Sequence, residues 1–209
     1  MGNVLKASDL HKLLTEAKSF AGSDVTLPML TCIKLEATET QIVGVATDRF
    51  VLGATRVDYA GEAFTALLDK NTVDTLIKMS KTDKRSANWR EVTLEIRETE
   101  LEFRFTTGEA LTVRPADYDF PKWRQLLPGN DYDDAPHQHL VHSVTVAAYN
   151  AAYLARFGKV AGSHQMRIFT RASKPALVTI GDDFVGMIMP VRMADGIGNN
   201  WVQPEWVGA

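Results

Sequence analysis

Phe184-Val-Gly-Met-Ile-Met-Pro-Val-Arg-Met193 is an apolar run that halts at a proline and resumes with an arginine and a methionine. Proline has no N–H to give to a ladder, so the run reads as an edge strand or as a strand that stops near Pro190. Met187, Met189 and Met193 would make a soft apolar surface. Two readings stay open on this pattern alone: a last core strand, or one wall of a groove for an extended peptide.

Upstream of this run the order of elements is regular. Ala176–Ile180 and Gln165–Arg171 read as strands, preceded by a helix that Thr145 caps and that runs to Phe157, and by a strand at His139–Val144. Near the start, Val4–Ala7 reads as a strand. Ser8 is the expected N-cap of a helix whose apolar face is Leu10, Leu13, Leu14, Ala17 and Phe20. Strands are then expected at Met29–Glu36, Gln41–Ala46 and Phe50–Val57. A second round follows: a strand at Ala63–Leu68, a helix capped by Asn71 with Val73, Leu76 and Ile77 inward, and strands at Glu91–Arg97, Leu101–Phe105 and around Leu111 and Val113. The chain thus holds three strand–helix–three-strand units of about 55 residues each. Such a unit buries one face of a small antiparallel sheet under one helix, so the fold class is α+β. Residues 1–115 are expected to form one domain of two units, 116–136 a linker, 137–193 a single unit, and 194–209 a tail outside the repeat. The third unit has no counterpart to pair with.

The bulk numbers exclude several classes. A net charge of −3 is not that of a globally basic nucleic-acid binder, so any such contact needs a local basic face. Cys32 is the single cysteine, which rules out an intrachain disulfide and a cysteine-based zinc site and fits a reducing compartment. The start lacks the apolar core of a signal peptide, and no run is long enough to span a bilayer. A cytoplasmic protein without membrane contact is expected. His137, His139 and His142 lie close together, but no carboxylate or cysteine stands at zinc-ligand spacing beside them. The acidic run from Asp131 to Asp134 lacks the spacing of a calcium loop. Neither a phosphate loop nor a nucleophile elbow is present. No metal or cofactor is expected.

Asp24-Val-Thr-Leu-Pro-Met-Leu-Thr31 and Ala46-Thr-Asp-Arg-Phe-Val-Leu52 resemble the middle domain of the bacterial sliding clamp, the beta subunit of DNA polymerase III. Asp119-Phe-Pro-Lys-Trp-Arg-Gln-Leu-Leu-Pro128 resembles the segment joining that clamp's middle and last domains. Lys174-Pro-Ala-Leu177 and Met189-Pro-Val-Arg-Met193 resemble the end of the last domain. The resemblance implies the DNA-clamp fold of repeated βαβββ units, with helices on one face of antiparallel sheets. The family's first domain and the first half of its last domain have no match here, as in a shortened member, for example a phage-type one.

The resemblance further implies a processivity factor in DNA replication that is no enzyme and has no catalytic residue. Such a factor is a homo-oligomeric ring, here a trimer or tetramer, around duplex DNA. It binds short peptides of a replicative polymerase and a clamp loader, and works in the bacterial or host cytoplasm. The implied peptide groove comprises Thr47, Phe50 and Leu52, then Leu68 and Val73, then Met187, Met189, Pro190, Val191, Arg192 and Met193. Sequence-independent contact with DNA phosphates would fall to Lys12, Lys18, Lys78, Lys81, Lys84, Arg85, Arg156 and Lys159. A non-ring interaction protein that keeps the groove, a decoy or regulator, is the alternative.

Overall fold

The computed structural model describes residues 3–127, 147–160, 165–170 and 175–191. The first unit comprises β1 (Val4–Lys6), α1 (Ala7–Lys18), α2 (Pro28–Thr31), β2 (Ile33–Ala37), β3 (Gln41–Thr47) and β4 (Val51–Asp58). The second comprises β5 (Phe64–Leu68), α3 (Lys70–Ser80), β6 (Glu91–Ile96), β7 (Leu101–Phe105) and β8 (Ala110–Val113). The third contributes α4 (Ala151–Phe157), β9 (Met166–Phe169), β10 (Ala176–Ile180) and β11 (Phe184–Ile188). This is the expected α+β architecture. The strand expected at His139–Val144, the cap at Thr145, and the tail 194–209 lie outside the described residues.

The first two units complete each other by exchanging their leading strands. A four-stranded sheet runs β1-β6-β7-β8, so the first unit's opening strand borders the second unit's three strands. A seven-stranded sheet runs β5-β2-β3-β4-β11-β10-β9, so the second unit's opening strand borders the first unit's three. Helix α1 packs against α3, and one apolar core takes residues from both helices and both sheets. Leu10, Leu13, Leu14 and Ala17 of α1 and Val73 and Leu76 of α3 are buried in it, as the helical spacing requires.

Several local expectations need correcting. Ser8 does not cap α1; the helix leaves β1 directly at Ala7, and of the four open amides at that end the one of Ala7 donates to the Arg90 carbonyl at 2.9 Å. Asn71 does not cap α3; Asp69 does, accepting from the amides of Asn71 at 2.8 Å and Thr72 at 3.1 Å. Met29 begins no strand. Pro28, with φ already suited to a first helical position, starts the short α2, and the strand begins at Ile33. Helix α4 is shorter than expected and is capped by Asn150, whose side chain accepts from the Ala152 amide at 2.9 Å.

At Phe184 the structure decides between the two alternatives the proline left open, in favour of a strand that stops short of it. This strand is no edge: β11 lies between β4 and β10, paired antiparallel to β4 with Leu52 opposite Met187 and Gly53 opposite Gly186. Pro190 is tolerated because the ladder has ended at Ile188. Beyond it the Met189 amide donates to Phe50 O at 2.9 Å and the Val191 amide to Ala148 O at 2.8 Å. The facing glycines make room for aromatic rings under the seam. A Cβ on Gly53 would stand 2.3 Å from Phe20, and one on Gly186 would stand 2.6 Å from both the Leu52 carbonyl and Phe157. Phe20, Phe157 and Phe184 cluster there, with centroids 5.0 Å apart for Phe20–Phe157 and 5.4 Å for Phe20–Phe184. The third unit therefore joins the first by a strand ladder and an aromatic cluster.

Candidate partner groove and basic surface

Alternation along β4 and β11 sends Val51, Phe184 and Ile188 toward the helices and Leu52, Ala54, Val185 and Met187 to the outer face. The outer face carries its own small cluster. Trp123 sits on Val45, Leu52 and Ala54, with Phe120, Leu127, Val185 and Met187 packed around it. Trp123 belongs to a turn of 3-10 helix, Trp123–Leu126, within the segment expected as a linker. The Arg124 guanidinium lies 4.3 Å from the Trp123 ring centroid and pairs with Glu36. Burial opposes the charge on Glu36, but Lys34 and Arg124 together hold its carboxyl below the usual range.

At one end of this seam the turn from Thr47 to Val51 is tightly pinned. Thr47 Oγ1 donates to Val51 O at 2.8 Å, and Asp48 Oδ1 accepts from the amides of Phe50 and Val51, both at 3.0 Å. Arg49 takes a left-handed φ of 81° at the turn. Phe50 stacks on Tyr153 of α4, with centroids 5.7 Å apart. Arg156 lies 4.9 Å from the Tyr153 centroid and donates to Asp48 Oδ2 at 2.7 Å, tying the turn to α4. Phe50, Met189 and Val191 are 47%, 43% and 49% exposed, so three large apolar side chains meet water together at this corner.

The structure thus brings Thr47, Phe50, Leu52, Met187, Met189, Pro190 and Val191 to one end of the β4–β11 seam. Within that set Thr47 and Leu52 are buried, Leu52 beneath Trp123, and the open surface is Phe50, Met189 and Val191. Leu68 and Val73 do not join them. Both are buried in the main core, Leu68 on β5 at the far edge of the sheet with β2 and β3 between it and β4, and Val73 on the inward face of α3. Arg192 and Met193 lie outside the described residues. Sequence reading missed Trp123 and Tyr153 as parts of the corner. The run around Trp123 was visible as a compact apolar motif, whereas nothing in sequence marked Tyr153 as a partner of Phe50.

The basic candidates divide as well. Lys12 pairs with Asp183 at 3.7 Å, Lys18 with Asp74, and Arg156 with Asp48, so a local carboxylate already meets each of these charges. Lys78 in the last turn of α3, Lys81 at its end, Lys84 and Arg85 are exposed and enter no ion pair among the described residues, and the same holds for exposed Lys159. The one carboxylate inside this stretch, Asp83, is occupied locally: hydrogen bonds from the Ser86 hydroxyl and from the Ser86 and Arg85 amides hold it below the usual range. His137, His139 and His142 lie outside the described residues. Among the described residues no helix is long and apolar enough to cross a membrane.

No family model matches the sequence. Solved structures do. The DNA polymerase sliding clamp from Bacillus subtilis matches with a TM-score of 0.74 at 16% identity, over 93% of this chain and 65% of that one. The DNA polymerase III beta subunit from Thermotoga maritima matches with a TM-score of 0.73 at 13% identity, over 91% and 65%. A sliding clamp from Pseudomonas aeruginosa bound to griselimycin matches with a TM-score of 0.73 at 15% identity, over 92% and 66%. The chain has the fold of these clamps and spans about two thirds of their length.

Proposed function

We propose that this chain, which carries the sliding-clamp fold, is a clamp-type processivity factor. It assembles from copies of itself around duplex DNA in the cytoplasm, catalyses nothing, and holds a replicative polymerase and a clamp loader through short peptides. The observation that carries this reading is the exposed apolar corner of Phe50, Met189 and Val191, set at the end of the β4–β11 seam in that fold. A corner of this kind is suited to anchoring two or three apolar side chains of an extended peptide. The DNA contacts are to phosphates, from Lys78, Lys81, Lys84, Arg85 and Lys159, while the ion-paired Lys12, Lys18 and Arg156 contribute less.

Two measurements test this. The protein is expected to be retained on circular duplex DNA and to slip from linear DNA with free ends; equal retention on both contradicts the clamp. Phe50→Asp with Met189→Asp is expected to abolish binding of polymerase-derived peptides while the chain stays folded, since both side chains are only about half covered and the stability lost is chiefly the Phe50–Tyr153 stacking. Unchanged affinity in that variant removes the groove. Leu52→Asp is the poorer probe, because it places a charge under Trp123. The ion pairing of Lys12, Lys18 and Arg156 gives some support to the second reading, a non-ring protein that keeps the peptide corner. A protein that binds the peptides but is not retained on circular DNA would establish it.

A further inference from the structure

The third unit repeats the first two closely enough to show what it lacks. In the first unit Val4, three residues before α1, bridges Ala60 beyond the end of β4. In the third, Ala148, three residues before α4, bridges Val191 beyond the end of β11. The two units therefore begin and close alike. They differ at the opposite edge. Strand β2 is covered by β5, and β6 by β1, each donated by the companion unit. Strand β9, which holds the corresponding place, has only β10 beside it among the described residues.

The difference reaches the core. Met166 stands opposite Ile180 and Ile168 opposite Val178, and the buried Ile180 and Val178 face the helices, so Met166 and Ile168 do too. Their counterparts Val92 and Leu94 on β6 are 0% and 2% exposed, yet Met166 and Ile168 are 41% and 37% exposed. In the first two units α1 and α3 cover such residues jointly, and α4 has no companion helix among the described residues. Beside it lies an open apolar cavity of about 570 Å³, bordered by Leu154, Phe157, Val160, Met166 and Ile180.

We infer that a second copy of this chain fills that place, its third unit docking on this one by the reciprocal exchange that joins the first unit to the second. The occupant is a copy because the two halves of the paired domain are units of this same pattern, each supplying the strand and helix that the other lacks. A third unit has both the opening and the means to fill one. Two of them related by a two-fold axis satisfy each other with one isologous contact. Carrying over the pairing of Val4 with Thr93 sets Ala148 of one copy beside Arg167 of the other. The inference shares with the proposed function only the claim of self-association.

Sedimentation of the full chain at micromolar concentration tests it. The expected result is an even-numbered assembly of 23.1 kDa chains that Ile168→Asp splits into smaller species. In a Cys32→Ser background, Ala148→Cys with Arg167→Cys is expected to give disulfide-linked pairs under oxidation. These positions are at the surface, or nearly so, and the variant keeps the result independent of how Ile168→Asp folds. A monomer, an odd-numbered assembly, or an unlinked cysteine variant overturns the inference. An odd-numbered ring that stays on circular DNA would sink this inference alone. An even-numbered assembly that does not stay on circular DNA would sink the proposed function alone.

Discussion

Strands β6 and β9 occupy the same place in two copies of one pattern, and their fates differ. The Val92 and Leu94 side chains are sealed under a pair of helices, while Met166 and Ile168 meet water. Strand chemistry does not cause this, since both strands alternate large apolar residues on the helix side. A companion unit does. A βαβββ unit carries enough apolar surface to need a second unit, and the helix and strand that cover it come from elsewhere in sequence.

Removing the third unit's anchor should break the comparison most strongly. Phe157 is the fully buried residue of α4 and contacts both Phe20 and Phe184. Phe157→Ala is expected to cost about 3–5 kcal/mol in denaturant unfolding. Amide exchange should rise across β9–β11 and stay slow in β6–β8. Uniform loss of protection would show that the third unit is not separately anchored. Gly186→Ala acts on the seam itself, where the added methyl meets a carbonyl and a ring at 2.6 Å. A loss of about 1–3 kcal/mol is expected, the usual range for overpacking. No loss would mean that β4 and β11 separate easily.

The smallest effect belongs to the paired units. Burial works against the Asp69 carboxylate, but the Thr72 hydroxyl and the Thr72 and Asn71 amides hold its pKa below the ordinary 3.8. The folded value lies below the unfolded one, so the stabilisation is complete above the ordinary value. It fades as pH falls through the depressed one. Asp69→Ala should cost about 1 kcal/mol at neutral pH, typical of a lost N-cap. Asp69→Asn should retain most of the cap while flattening the acid limb of the stability curve. The exposed surface of β9 should be unaffected by either change.

Much of the fold was legible because local patterns are strong where one face is buried. Val92, Leu94 and Ile96 alternate with Thr93, Glu95 and Arg97, and that strand lies where the alternation put it. The exchange of β1 and β5 was not legible, because it pairs Val4 with Thr93 across a span that no local pattern encodes. The cap of α3 slipped by two residues, from Asn71 to Asp69, where two candidates stood close together. The groove was half legible. Phe50 and Met189 were assigned to one site through the resemblance, and the Phe50 carbonyl accepts from the Met189 amide at 2.9 Å. Leu68 and Val73 were misplaced because an apolar residue reads the same in sequence whether it faces a core or a groove. Trp123 shows the converse, an aromatic in a proline-flanked stretch that caps the outer face.

Amide exchange in β9, measured beside β6 at low and high protein concentration, tests most directly whether the third unit is completed by a second copy. Protection of β9 should rise toward that of β6 as concentration increases, with β6 unchanged throughout. A β9 whose exchange is independent of concentration would contradict it.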